Sequence, residues 1–380
     1  MLIVWVCTNS VPVERFSGMK NKLPDLIIGD LKINPPIIQG GMGVRVSGAS
    51  LAAAVSNTGA LGVIASVGIG KEEEVGIIGY EKTCELELQK EIKKAKQITK
   101  NPIGVNIMVA LSNYESLVKS AIGAGVNVVI LGAGLPLKLP ELAGSLHIKF
   151  IPIISSGRAA EIICKVWQRK YKRLPDALIL EGPLAGGHLG FSEDELKDKS
   201  VRLEAILSDV IKVTKQYEGL FNTKIPVVVA GGIFDGKDIA RVLKLGASGV
   251  QMATRFVCTH ECDVSLKYKE EYLKSKKEDI IIIKSPVGLP LRVIRNRFIE
   301  RILRGEKIKF DCLYKCLKTC EAEVATFCIA KALVNSSKGN FDEGFATCGV
   351  NACRIDKIVF VNELVEELER EAVVEFYKNN

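Results

Sequence analysis

The chain has 380 residues, 47% of them hydrophobic and 25% charged, so it can bury a core large enough for one sizeable domain and an appendage. Its net charge of +8 comes from lysines and arginines that alternate with acids, which is typical of solvated helix surfaces and disfavours a nucleic-acid-binding protein. Eleven cysteines without a recognisable secretory signal predict a cytoplasmic location, and no charge-free run reaches the length of a membrane span.

We interpret residues 1–22 as a loose N-terminal extension, since the start is apolar but lacks a basic n-region. Eight continuous apolar runs of β type follow. They are PPIIQGG (35–41), LGVIAS (61–66), PIGVNIMVA (102–110), VNVVILG (126–132), KFIPIIS (149–155), DALILEG (176–182), IPVVVAGG (225–232) and SGVQMAT (248–254). Continuous rather than alternating apolar runs predict strands that are buried on both faces, as in a parallel sheet.

Helical patterns lie between these runs. In SGASLAAAVSNTG, Ser47 or Ser50 is the expected N-cap and Gly59 the expected end. ELELQKEIKKAKQIT and SVRLEAILSDVIKVTKQY are amphipathic, and DGKDIARVLKLGA starts at an acidic cap and ends at Gly246. Eight β–α units predict a TIM (β/α)8 barrel over residues 23–257. A doubly wound open sheet is the alternative, because strand count does not prove closure.

The alternation of apolar runs and helical patterns ends after residue 257. Helical, charged stretches, DVSLKYKEEYLKSKK and PLRVIRNRFIERIL, precede a Cys-rich segment and a final acidic helix, VNELVEELEREAVVEF. We therefore interpret residues 258–380 as a helical, Cys-rich appendage beside or over the barrel mouth, where it could complete the substrate site.

Glycine and polar residues collect where the predicted strands end, and barrel active sites lie at the C-terminal ends of the strands. In QGGMG, which ends the first strand, three glycines permit a flat ring to lie against the backbone, although a tight turn explains them equally. Asn106 lies in an apolar strand, where an unpaired amide is costly. It either bonds a ligand edge or closes a core network.

The ends of the seventh and eighth strands predict a phosphate site. Gly231 and Gly232 let the backbone approach an anion closely, and Ala253 and Thr254 can add amides and a hydroxyl. A tight turn would explain the two glycines alone, but their pairing with the following ATR segment favours phosphate.

The segment EGPLAGGHLGF contains His188, one of three histidines in the chain with His147 and His260. Two glycines precede it on a strand-end loop, so its ring could face the pocket, where an imidazole suits proton transfer near neutral pH. An ordinary structural or exposed histidine is the alternative. No H-E-x-x-H pattern stands near it and no G-x-S-x-G elbow is present, which disfavours a catalytic zinc or a serine nucleophile.

Four cysteines cluster in the appendage. Cys312, Cys316 and Cys320 are spaced four apart and would share one face of a helix, and Cys328 follows. Four such thiols could hold zinc or an iron–sulfur cluster. Because the usual C-x-x-C pair is missing, we interpret them as free thiols and expect no metal, with the metal alternative left open.

The segments PPIIQGGMGV, GVNIMV, EGPLAGGHLGF and IPVVVAGGIFDGKDIARVLKLGASGVQMATRFV, in this order, resemble the nitronate monooxygenase family, formerly 2-nitropropane dioxygenase. The same superfamily contains the flavin-dependent enoyl-ACP reductase. The likeness spans roughly residues 23–298 and implies a TIM barrel that binds FMN non-covalently, with His188 as the catalytic histidine. By motif match, the implied cofactor-binding residues are Gly41, Met42, Gly43, Asn106, Glu181, Gly186, Gly187, Gly231, Gly232, Ala253 and Thr254.

The resemblance implies an FMN-dependent oxidoreductase. The form GPLAGGHLGF and the long tail favour oxidation of alkyl nitronates with O2 to carbonyl compounds and nitrite over the alternative, NAD(P)H-dependent enoyl-ACP reduction. A non-catalytic flavin- or phosphate-binding barrel is the third interpretation. The expected partners are a small-molecule substrate and O2 or NAD(P)H, without nucleic acid or membrane, and a homodimer is left open. The Cys-rich tail lies outside the family pattern, so the physiological substrate is open too.

Overall fold

The computed structural model describes residues 22–143, 148–312 and 314–378. The predicted N-terminal extension lies outside the described residues except for its last residue, and so does His147. The first elements are a short antiparallel hairpin of β1 (Leu26–Ile28) and β2 (Leu31–Ile33). Apolar side chains of this hairpin pack with those inside the barrel, so the hairpin plugs the barrel interior.

Eight parallel strands form the barrel. They are β3 (Ile37–Gln39), β4 (Gly62–Ala65), β5 (Ile103–Met108), β6 (Val128–Gly132), β7 (Lys149–Ile154), β8 (Leu178–Glu181), β10 (Val227–Ala230) and β11 (Gly249–Met252), with β9 (Gly187–His188) outside the barrel. Each falls inside one of the eight apolar runs, as predicted. The amides of Gln39 and Leu61 each donate a 2.9 Å hydrogen bond across the β3–β4 seam, to Leu61 O and Ile37 O. The sheet therefore closes, and the open-sheet alternative is excluded.

Helices surround the strands. In chain order they are α1 (Ala49–Asn57), α2 (Glu72–Ile78), α3 (Tyr80–Ile98), α4 (Tyr114–Gly123), α5 (Leu139–Ala143), α6 (Gly157–Tyr171), α7 (Glu193–Lys197), α8 (Leu203–Phe221), α9 (Gly236–Lys244) and α10 (Thr254–Val257). The side chain of Asp235 caps α9, as predicted, and accepts a hydrogen bond from Asp238 N at 3.1 Å. Gly59 and Gly246 follow their helices with φ of 92° and 97°, which confirms both predicted ends.

The predicted N-cap of α1 is wrong. The cap is Gly48, and neither Ser47 nor Ser50 supplies a capping side chain. The carboxylate of Asp263 instead accepts hydrogen bonds from the amides of Gly48 and Leu51, at 2.9 and 3.2 Å. A carboxylate more than two hundred residues away in the sequence thus satisfies the helix N-terminus.

Residues after 257 contain α11 (Leu266–Lys274), β12 (Ile280–Lys284), β13 (Pro290–Ile294), α12 (Arg297–Leu303), α13 (Ile329–Ser337) and α14 (Val361–Tyr377). Helices α11, α12 and α14 form where helical stretches were predicted, but PLRVI forms β13 rather than the start of a helix. It pairs with β12 on one edge and with β9 on the other. The described residues of the cysteine segment are not helical either, so Cys312, Cys316 and Cys320 do not share a helix face as predicted.

The final helix lies with the barrel. α14 packs against α9, which follows β10, and against α1, which follows β3. The approach is close, since a Cβ atom at Gly236 would lie 2.3 Å from Glu371 Cβ. The eighth β–α unit is therefore completed by α14, with residues 258–360 inserted before it. The domain boundary at residue 257 stays a prediction. Among the described helices, none is long and apolar enough to cross a membrane.

Candidate active site

One cavity of about 280 Å³ opens at the C-terminal ends of the barrel strands, and all twelve site residues predicted from the sequence line it. The inserted segment forms another part of its wall. The lining residues from that segment are Tyr268, Tyr272, Leu291, Cys316, Leu317, Ile329, Ala330, Leu333, Thr347, Cys348 and Gly349. The insertion thus contributes mainly apolar side chains to the site, while the individual roles of the predicted residues stay predictions.

A buried polar network holds the loop after β3. The Gln39 side chain accepts a hydrogen bond from Val63 N at 2.9 Å and donates one to Ser47 Oγ at 3.0 Å. The same hydroxyl accepts from Met42 N at 2.8 Å. At Gly41 an added Cβ would lie 2.4 Å from Asn106 Cβ, so only glycine lets the loop lie against β5.

Two amide side chains at the cavity lack partners among the residues that the structure describes. No hydrogen bond joins the Asn106 side chain to any other residue that the structure describes, which favours a ligand contact over the core network. Gln251 Oε1 is buried and also without a partner there. Gln251 was not among the site residues predicted from the sequence, although its position as a polar residue within the apolar run SGVQMAT could have indicated it. Its backbone pairs with Ala230, which in turn pairs with Glu181.

The ends of β10 and β11 present unbonded amides. Gly231 and Gly232 have φ of 90° and 85°, a conformation that L side chains rarely adopt. Within the described ranges, the amides of Gly231, Gly232, Ala253 and Thr254 donate no hydrogen bond. The Thr254 hydroxyl accepts one from Gly349 N at 3.2 Å and keeps its proton available. Such a group of free amides suits an anion.

His188 lies on β9, where it pairs with Leu291 of β13. Its Nε2 atom is buried and has no partner among the described residues. Burial disfavours the charged imidazolium and lowers the pKa of His188 to about 4, below the near-neutral titration that the sequence suggested. The ring is therefore neutral at pH 7 and can accept a proton.

Glu181 ends β8 and is a second strongly perturbed group at the cavity. Burial raises the pKa of its carboxyl to about 7, because the low-dielectric surroundings disfavour the anion. The site therefore contains a neutral base and a carboxyl that titrates near neutrality, the kind of separation that acid–base chemistry uses.

The two glycines before His188 serve different purposes. An added Cβ at Gly186 would lie 2.5 Å from the carbonyl carbon of Cys348, so this glycine admits the inserted segment and not only a cofactor. Gly187 has a φ of 74° and nothing within 4 Å of an added Cβ. Open space thus lies beside Gly187, as a bound ring would require.

The thiols of Cys312, Cys316, Cys320 and Cys328 lie near one another. Burial raises the pKa of Cys316, Cys320 and Cys328, and neighbouring thiols of the group raise it further. Cys316 also lines the cavity. As placed in the described part of the chain, no three metal-ligating side chains are arranged to hold an ion.

A closed eight-stranded barrel with unpartnered polar groups at its strand ends defines an enzyme of the (β/α)8-barrel class. A family model described as nitronate monooxygenase matches residues 25–122 and 111–371. The chain therefore belongs to the nitronate monooxygenase family, a family of oxidoreductases, as its motifs predicted.

Relatives and solved structures agree. A (3aS,4S,5R,7aS)-5-hydroxy-7a-methyl-1-oxo-octahydro-1H-indene-4-carboxyl-CoA dehydrogenase of Mycobacterium tuberculosis is 30% identical over 277 residues, 73% of this chain and 68% of that protein. A probable nitronate monooxygenase of Staphylococcus aureus is 29% identical over 324 residues, 76% of this chain and 81% of that one. FabK from Thermotoga maritima is 31% identical with a TM-score of 0.68, over 90% and 93% of the two chains. These likenesses leave the substrate unassigned.

Proposed function

We propose that the chain is an FMN-dependent nitronate monooxygenase that oxidises alkyl nitronates with O2 to carbonyl compounds and nitrite. The observation that carries the proposal is the buried, neutral imidazole of His188, whose Nε2 has no partner among the described residues and lies at a largely apolar cavity. Such a base can take the α-proton of a neutral nitroalkane or hold the anionic nitronate.

The cavity fits FMN. Unbonded amides at Gly231, Gly232, Ala253 and Thr254 would hold the phosphate. The side-chain amides of Asn106 and Gln251, and the glycine loop after β3, would contact the flavin ring. FMN is preferred to FAD because the chain has no dinucleotide fingerprint. Bound there, the flavin would supply the electron transfer with substrate and O2.

The residues of the chain would supply the proton chemistry. His188 Nε2 accepts the proton that leaves the α-carbon, and the apolar wall keeps competing water away. Because burial lowers the pKa of His188 to about 4, the imidazole is already in its accepting form throughout the physiological range.

NAD(P)H-dependent enoyl-thioester reduction is the second candidate, favoured by the similarity to FabK at 31% identity. That reaction needs a proton donor, for which Glu181, with its pKa of about 7, is better suited than His188. Oxygen uptake with a nitronate, measured beside NAD(P)H oxidation with and without crotonyl thioester, separates the two. Turnover of the thioester alone would overturn the nitronate proposal. Turnover of neither substrate would favour the third interpretation, a non-catalytic flavin- or phosphate-binding barrel.

The purified protein is expected to be yellow, with the absorption bands of oxidised flavin, because four amides that donate no hydrogen bond to the described residues belong to residues lining one cavity. Heat denaturation should release the flavin intact, and its mass should be that of FMN. A colourless protein that does not take up added FMN would contradict both enzyme candidates.

FMN affinity is expected to weaken as the pH rises through about 7, where Glu181 ionises. An anion on Glu181 repels the anionic cofactor, so the pKa of Glu181 is higher in the complex than in the free protein. A difference of one pKa unit would weaken binding about tenfold at high pH. Flavin fluorescence titrations between pH 6 and 9 measure this change. Glu181→Gln is the matched control, because in this variant only the ionisation of FMN itself would change the affinity. If the affinity of Glu181→Gln for FMN depended on pH as that of the wild type does, the role of Glu181 would be rejected.

A further inference from the structure

Arg292 is a buried cation on β13 that the chemistry above does not use. The residue is only 6% exposed, and it is not among those that line the cavity. Its guanidinium donates hydrogen bonds to the carbonyl oxygens of Ala185 and of Pro183, the latter at 3.1 Å. Among the described residues, no carboxylate forms an ion pair with it. A buried charge is costly unless it is well bonded, so these two carbonyls are what stabilises it.

Strand β13, which carries Arg292, also pairs with β9, the strand of the cavity-lining His188. In the β9–β13 pairing, Arg292 lies opposite Gly187 and Leu291 lies opposite His188. Leu189 N donates a further hydrogen bond to Pro290 O at 2.9 Å. The turn before His188 and the backbone of His188 itself are therefore both bound to one strand of the insertion.

The turn held by Arg292, residues 183–185, also lies against the proposed phosphate site. An added Cβ at Gly231 would lie 2.9 Å from Gly182 O and 3.0 Å from Ala185 N. The peptides that follow Pro183 and Ala185 are trans, so their N–H groups point away from the carbonyls that Arg292 binds. The amide of Gly186, a cavity-lining residue, is thereby turned away from Arg292.

We propose that Arg292 is a positioning residue, which holds residues 183–185 so that His188 stays buried at the cavity and the turn keeps its place against Gly231. That His188 and the turn 183–185 matter for catalysis rests on the proposed function, whereas their being held in place by Arg292 does not. The fork of a guanidinium can bind two carbonyls at once, whereas a lysine ammonium is a single point charge.

The test uses Arg292→Met, which removes the charge and keeps an unbranched, flexible side chain, and Arg292→Lys. Arg295→Met is the matched control, since Arg295 follows the same strand but is exposed and bonded to Glu300. The chain has three histidines, so histidine-selective NMR of the protein without substrate can follow His188, assigned with His188→Asn. FMN affinity is measured by fluorescence on the same samples, and circular dichroism checks folding.

In Arg292→Met the pKa of His188 should rise from about 4 toward its ordinary 6.5, as the released turn exposes the ring, and the Kd for FMN should rise about tenfold. Arg292→Lys should give a smaller change in the same direction, and Arg295→Met none. A folded Arg292→Met with an unchanged His188 titration and an unchanged Kd would overturn the proposal. If Arg292→Met does not fold, an unchanged Arg292→Lys on both readouts would overturn it. The His188 titration needs neither FMN nor turnover, so it tests the position of the turn even where the proposed function fails.

Discussion

Gly232→Asp is expected to lower the affinity for FMN by nearly three powers of ten. Gly232 lies at the proposed phosphate site, beside four amides that donate no hydrogen bond within the described chain. A carboxylate introduced there would repel the phosphate by about 4 kcal/mol, for two unit charges roughly 4 Å apart at an effective dielectric of about 20. That energy corresponds to nearly a thousandfold in Kd. Fluorescence titration of the flavin-free protein measures the change.

The control for this variant is Gly232→Asn, because any side chain at Gly232 carries a cost. Its φ of 85° disfavours L residues, and an added Cβ would lie 3.0 Å from Leu184 Cδ1. Asparagine has the size of aspartate and adopts positive φ about as readily, but it has no charge. The difference between the two variants therefore isolates the repulsion. Equal affinities in two folded variants would place the phosphate elsewhere.

The barrel was predictable from the sequence because its strands are covered on both faces. Such strands need apolar side chains at successive positions, and β8 and β10 show this as LILE and VVVA. The positions of Gly231 and Gly232 followed from the same pattern, since a residue directly after a barrel strand lies at the mouth. His188 was placed at the mouth because it lies on the glycine-rich segment that follows β8. Local sequence therefore predicted which residues meet at the cavity.

The inserted segment was less predictable because its structure depends on distant partners. PLRVI has no feature that distinguishes a strand from a helix start, and it forms β13 because β12 and the Gly187–His188 pair offer unpaired edges. Arg292 belongs to a stretch that the sequence predicts to be helical and charged, although its side chain is buried against carbonyls more than one hundred residues earlier. The Asp263 cap of α1 is a contact of the same long-range kind.

His188→Asn is expected to retain FMN and to lose activity on a neutral nitroalkane by about two to four powers of ten, the usual contribution of a positioned base. The backbone of His188 stays paired with β13, and the proposed phosphate contacts lie after β10 and after β11, so cofactor binding should survive. Activity on the preformed nitronate should fall much less, because its α-proton has already left. Oxygen-uptake rates on both substrates, with the flavin content of each sample, measure the two losses.

His260→Asn is the matched control, because the ring of His260 packs on Phe360, 4.3 Å between centroids, and does not line the cavity. Its rates should equal those of the wild type. Burial places the pKa of His188 at about 4, so its imidazole is neutral at higher pH. The wild-type rate on the neutral substrate should therefore show no change near pH 6.5 that is due to His188. Instead, the rate that depends on His188 should fall as the pH drops through about 4, where the ring gains its proton. Equal losses on both substrates in His188→Asn would reject the base role and leave His188 as a group that orients the nitronate. No loss on either would make it an ordinary buried histidine.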